Sequence, residues 1–192
     1  MNFLAHFYLS GTNENLLSGN FIADAVKGSD LSAFPEGIRE GIIMHRQIDH
    51  FTDRHPVVMK SIKRLRPDFH HYSPVITDIF FDHFLATNWN EYSEEPLAGY
   101  AARTYAILEK YVDVFPEKSK RILPFMKQHD WLTIYSRVEG VHNVLTGMSR
   151  RTTFDSGMER AAEALVRDYD AFGDDFRKFF PDIIAHTQKF RS

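Results

Sequence analysis

Residues 76–84, ITDIFFDHF, set Asp78, Asp82 and His83 inside an otherwise apolar and aromatic run. On a helix, Asp78 and Asp82 lie one turn apart on the same face. Carboxylates among Ile79, Phe80, Phe81 and Phe84 are costly to bury unless something positive neutralises them, which a divalent cation does well. Upstream, in residues 42–53 (IIMHRQIDHFTD), His45, Asp49 and Asp53 recur at every fourth position and form one polar stripe on a helix. Imidazole with carboxylate suits Zn, Mn, Fe, Co or Ni, whereas an all-oxygen set favours Mg or Ca. Asp24 stands between Ala23 and Ala25 in NFIADAVKG, and His6 lies within NFLAHFYL. Each of these residues taken alone is more often a cap or a hydrogen-bonded core group than a ligand. Their recurrence in separate segments points to an acidic pocket that holds metal.

The elements that must position these residues read as helices almost throughout, which predicts an all-α protein, a single-domain helical bundle. A first helix is expected over residues 15–26, stopping at Gly28, with Asp24 in its last turn. Pro35 opens the next, which carries the His45 stripe until Pro56 breaks it. A short basic helix over residues 57–65 leads to a turn at Arg66 and Pro67. Ser73 and Pro74 read as cap and first residue of a helix through Trp89. Further helices are expected from Pro96 to before Pro116, from Glu117 to about His129 and over residues 138–148, with a short helix or connector at residues 131–135. Ser156 with Glu159 reads as a capping box for a helix through Tyr169, and a last helix spans residues 171–180 before Pro181 bends or restarts it.

Composition narrows the function classes. The 192 residues are 43% hydrophobic with 17 Phe and 8 Tyr, enough for one core over residues 1–192 and no sign of disorder. The absence of cysteine excludes disulfides, thiolate zinc sites and a cysteine nucleophile, so a metal must be held by His, Asp or Glu. No run approaches the ~20 apolar residues of a membrane span and the first residues lack a signal-peptide pattern, so a cytoplasmic protein without membrane attachment is expected. A net charge of −3 argues against nucleic acid as a partner. Basic residues do cluster, at Lys60, Lys63, Arg64 and Arg66, and at Arg150 and Arg151; these are solvated faces or a landing place for phosphate or an acidic protein.

The opening MNFLAHFYLS, then LSGNFIADAVKG, MHRQID, ITDIFFDHFLATNW and VHNVLTGMSRR, in that order and nearly end to end, resemble the bacterial acyl carrier protein phosphodiesterase family. The resemblance implies a variant of the helical HD phosphohydrolase fold whose metal ligands come from several helices. It implies hydrolysis of the phosphodiester that joins 4′-phosphopantetheine to a serine of acyl carrier protein, a step of fatty acid biosynthesis and lipid metabolism. The implied cofactor is a divalent metal, Mn2+ before Mg2+, Fe2+ or Co2+. Asp24, His45, Asp78 and Asp82 match positions of the metal site, with Asp24, His45 and Asp82 in catalysis. Asp49 and His83 match as ligands or as partners behind them, and His6 joins them as a supporting group. The adjacent His–Asp pair of the standard HD signature is absent; its nearest equivalents are His45 with Asp49 and the reversed Asp82–His83.

The chemistry then expected is metal-assisted hydrolysis, with activated water attacking phosphorus in line and a serine alkoxide leaving. Lys27 or Arg46, near Asp24 and His45 in sequence, are candidates to clamp phosphate oxygens, and Lys63, Arg64, Arg150 and Arg151 to meet the acidic carrier. Two other readings fit the same residues: a metal phosphohydrolase of nucleotides or small phosphoesters, and a non-catalytic helical module that binds carrier protein. The aromatic positions Phe80, Phe81, Phe84 and Trp89 are read as core rather than as a channel for the pantetheine arm.

Overall fold

In the computed structural model, which describes residues 1–191, the centre of the molecule is the helix α5 (Ser73–Thr87), buried on nearly every side from Ile76 to Ala86. A helix apolar all round must be wrapped by others, and four of them do so: α1 (Phe3–Leu9), α4 (Pro56–Phe69), α9 (Val138–Ser149) and α11 (Tyr169–Thr187). Phe80 meets Phe172 edge-on, and Phe81 meets Phe176 and Phe179 of α11. Phe84 and Trp89 are 2% exposed, so all four aromatic positions of this segment are core, as read.

The remaining helices are α2 (Glu14–Ile22), α3 (Glu36–Arg54), α6 (Leu97–Lys110), α7 (Glu117–Gln128), α8 (Trp131–Ile134) and α10 (Ala161–Arg167), with short 3-10 turns after α2, α4, α5, α6, α9 and α11; no strand occurs among the described residues. The elements are all helical, as expected, and one hydrophobic cluster runs from Met1 to Ile183. Among the described residues, no helix is long and apolar enough to cross a membrane.

α2 and α3 touch backbone to backbone. The Cα atoms of Gly19 and Gly41 face each other so closely that a Cβ on Gly19 would stand 2.1 Å from the Ile38 carbonyl oxygen, and one on Gly41 2.4 Å from that of Leu16. Only glycine allows such an approach.

The short α1 is fastened at both ends. Asp82, fully buried on α5, accepts hydrogen bonds from the N–H groups of Asn2 and Ala5 on Oδ1 and of Leu4 on Oδ2, meeting donors that a helix start leaves unpaired. Burial pushes this carboxyl up to about 7 against the opposing pull of the Met1 amino group and those N–H donors. At the other end the Arg191 guanidinium donates to the Leu9 carbonyl at 2.7 Å and to that of Tyr8 at 3.0 Å.

Several sequence expectations change. α1 was not anticipated, because seven residues span less than two turns and show little periodicity. The first expected helix ends at Ile22, after which residues Ala23–Ala25 tighten into a 3-10 turn and carry Asp24 out toward solvent. Pro67 and Pro181 do not end their helices: α4 runs to the buried Phe69 and α11 to the buried Thr187. Burial of Phe179, Phe180 and Ile183 around Pro181 outweighs the roughly 3 kcal/mol cost of an interior proline. The capping box at Ser156 does not form, since Glu159 accepts from Ser149 Oγ at 2.7 Å, and α10 starts only at Ala161.

Candidate metal centre

The residues read from sequence converge only in part. His6 comes from α1, His45 and Asp49 from adjacent turns of α3, and one ligand atom from each lies within 4.8 Å of the others. They open into a cavity of about 420 Å³ whose wall also includes Asn20, Asp24, Asp53 and Asp78.

A single side chain aims both imidazoles. Asn20 Nδ2 donates to the His6 carbonyl at 3.0 Å, which accepts only, so the amide has one possible orientation. Its Oδ1 then faces Nδ1 of His6 and Nδ1 of His45, each at 2.8 Å, and both ring nitrogens must be donors. The Nε2 atoms are left to face the cavity. That of His45 is 3.1 Å from Asp49 Oδ2 and 3.3 Å from Asp24 Oδ1; that of His6 is 3.3 Å from Asp49 Oδ1 and 3.2 Å from the Met1 carbonyl oxygen. The two rings stack at 4.1 Å between centroids.

The electrostatics follow from that packing. Burial, then the neighbouring His45, lowers His6 to about 4, so its ring is neutral and its Nε2 lone pair points at two oxygens. Burial alone would lower His45 as well, but hydrogen bonds to Asp24 and Asp49 prevail and raise it to about 9. Asp49 is pulled far below the carboxylate range by the imidazoles despite its burial, and Asp24 is lowered through its bond to His45. Lone pair against oxygen is repulsive unless a cation lies between them. Two Nε2 atoms held in the right tautomer by one carbonyl, with carboxylates beside them, therefore suit a borderline divalent ion.

Asp78 lines the same cavity, with Oδ1 2.9 Å from the Met1 amino group. Asp82 and His83 do not reach the cavity. Asp82 is spent on the start of α1, and His83 Nδ1 donates to the Tyr135 carbonyl at 2.7 Å while its Nε2 faces the Tyr169 hydroxyl at 2.9 Å. A histidine with both nitrogens satisfied in the core is a packing group.

The basic candidates also separate. Arg46 donates to the carbonyls of Val26 and Gly28, bracing the segment after Asp24, and neither it nor the exposed Lys27 lines the cavity. Arg64, with Lys60 and Ser61, is bound to the buried Asp175 of α11 and lies over the Phe172 ring, which makes it a structural cation. Lys63 and Arg150 are exposed. Arg151 lies on the rim of a second cavity beside the first.

Asn20 was missed in the sequence reading. Glycine in a helix interior costs about 1 kcal/mol against alanine, so Gly19 just before Asn20, and Gly41 one turn before His45, were signals that a close helix crossing lies beside the ligands.

The family model described as acyl carrier protein phosphodiesterase matches residues 1–183. A protein of Salmonella paratyphi A (strain ATCC 9150 / SARB42) that bears the same name is 31% identical over 190 residues, 98% of each chain. The namesakes from Enterobacter sp. (strain 638) and Salmonella newport (strain SL254) are each 30% identical, again over 98% of both chains. No solved structure matches.

Proposed function

Because the chain belongs to the acyl carrier protein phosphodiesterase family, we propose that it is a metal-dependent phosphoric diester hydrolase that removes 4′-phosphopantetheine from holo acyl carrier protein and leaves the apo form. One observation supports the metal dependence above the others. The cavity sets four carboxylates, Asp24, Asp49, Asp53 and Asp78, against two positive groups, the Met1 amino group and His45, so it stays net negative and repels an anionic phosphodiester unless a divalent cation is added.

His6, His45 and Asp49 would hold the ion, with Asp24 beside His45 as a further oxygen donor and Asp78 lining the same cavity. A divalent cation there would supply charge neutralisation for the non-bridging oxygens and would acidify a water molecule. Asn20 keeps both imidazoles in the tautomer that presents Nε2. Asp24, 71% exposed on its 3-10 turn and 3.3 Å from His45 Nε2, is open to substrate from the solvent side. In the balanced reaction, water adds OH to phosphorus as the bond to the serine oxygen breaks, and that oxygen takes the proton. Asp82 supports the site by anchoring the helix that carries His6.

Mn2+ is the ion we assign, with Mg2+, Fe2+ or Co2+ as substitutes. The mixed imidazole and carboxylate set favours a transition metal over an all-oxygen cation. The acidic carrier would meet the exposed Arg150, Arg151 and Lys63. We place the reaction in the cytoplasm, within fatty acid metabolism, which agrees with a chain that has no cysteine. The test is mass spectrometry of holo acyl carrier protein incubated with the purified enzyme, with and without Mn2+. A metal-dependent fall to the apo mass together with free 4′-phosphopantetheine is expected. An unchanged carrier mass with folded, metal-loaded enzyme overturns the proposal.

A further inference from the structure

The second cavity, of about 290 Å³, shares Asn2, Phe3 and Met148 with the metal centre and extends away from it between α7, α8 and α9. Its character is opposite to that of the acidic cavity. Ile122, Trp131, Ile134 and Val144 give it apolar walls, and no aspartate or glutamate lines it. Polar groups occur at a few points. Asn143 is among the lining residues, and His129, whose Nδ1 donates to the Phe125 carbonyl at 3.0 Å, keeps Nε2 as an acceptor.

We infer that this cavity is the subsite for the pantetheine arm of the substrate, a proposal that rests on the phosphodiesterase reading above. A phosphorus atom at the His6–His45–Asp49 cluster leaves the arm to run past Phe3 and Met148. The arm carries a geminal dimethyl group, a hydroxyl, two amides and a terminal thiol, so it is largely apolar with a few hydrogen-bonding points. A narrow apolar cavity with a side-chain amide and an imidazole acceptor matches that chemistry. The metal cluster alone would hydrolyse any accessible phosphodiester; the second cavity makes the arm part of what is recognised, and its binding energy positions phosphorus at the ion.

Gly147 of α9 gives a clean test. A Cβ there meets only the tip of the Arg151 side chain, at 3.8 Å, so a larger residue fits the helix and projects into the second cavity. Gly147→Leu is expected to fold with unchanged helical signal and to bind Mn2+ as the parent does. It should raise KM for holo carrier protein at least tenfold while turnover of bis(4-nitrophenyl) phosphate, which has no arm, stays within twofold. Free pantetheine, titrated calorimetrically into metal-loaded protein, should bind the parent and lose at least tenfold in affinity to Gly147→Leu, and also to Asn143→Leu. An unchanged KM for the carrier, or pantetheine binding that survives both substitutions, overturns the inference. Failure of the phosphodiesterase reading looks different: the parent leaves holo carrier untouched while still hydrolysing the small diester. In that event, pantetheine binding sensitive to Gly147→Leu still supports the subsite, and no binding to the parent rejects it.

Discussion

Nδ1 of His45 lies 2.8 Å from Oδ1 of Asn20, so the imidazole comes from α3 and the group that aims it from α2. Asn20→Ala leaves two buried ring N–H groups without acceptors. Metal affinity is expected to fall about 10- to 100-fold, and folding stability by about 1–3 kcal/mol. Metal titration by calorimetry and urea denaturation measure the two effects separately. Unchanged metal affinity would mean that the rings do not need this carbonyl.

Gly19→Ala and Gly41→Ala each push a methyl group into backbone of the opposing helix. Each should cost about 1–3 kcal/mol and weaken metal binding by separating Asn20 from His45. Gly99→Ala on α6, where a Cβ finds ordinary contacts at 3.5 Å, is the control and should be neutral or slightly stabilising. Denaturant midpoints of the three variants compare them directly.

Protonation of His45 competes with the metal. Its folded value, about 9, lies above the ordinary 6.5, so in chelator-stripped protein the charged ring contributes stability that is complete below pH 6.5 and lost as pH rises through 9. His6, lowered to about 4, stays neutral across this window. Metal binding must therefore expel one proton, and affinity should climb about tenfold per pH unit up to about pH 9. Melting temperatures from pH 6 to 9.5 should fall for stripped protein and hold for the loaded form. A flat affinity profile would show that His45 carries no such proton.

Asp78 and Asp82 share a helix face one turn apart but should fail in different ways. Asp78→Asn alters a cavity wall and removes the charge opposite the buried Met1 amino group while its amide oxygen can still accept from it, so turnover should drop at least tenfold with a stability loss smaller than that of Asp82→Ala. Asp82→Ala strips the acceptors from three backbone N–H groups and should cost at least about 2 kcal/mol. Thermal unfolding alongside the carrier assay separates them; equal losses of stability would remove the distinction.

That pair also shows how far the sequence could be read. Polar residues in apolar company marked His6, Asp24, His45, Asp49 and Asp78, all of which reach the cavity. The same pattern marked Asp82 and His83, which do not. A buried carboxylate looks alike in sequence whether a cation or a helix start neutralises it, and α1, the helix start in question, was too short to announce itself. The helices were legible because their apolar periodicity is strong, whereas Pro67 and Pro181 misled because local propensity yielded to burial. Asn20 carries no charge and fits no ligand pattern; its role exists only where α2 meets α3.

The clamp on α1 has a consequence for the order in which the protein folds. His6 rides on a seven-residue helix held at its start by Asp82 and at its end by Arg191, contacts that span 78 and 182 positions of sequence. Closing loops of that length costs chain entropy before any contact repays it. The His6 wall of the metal centre should therefore form after the local helices, when the distant parts of the chain have met.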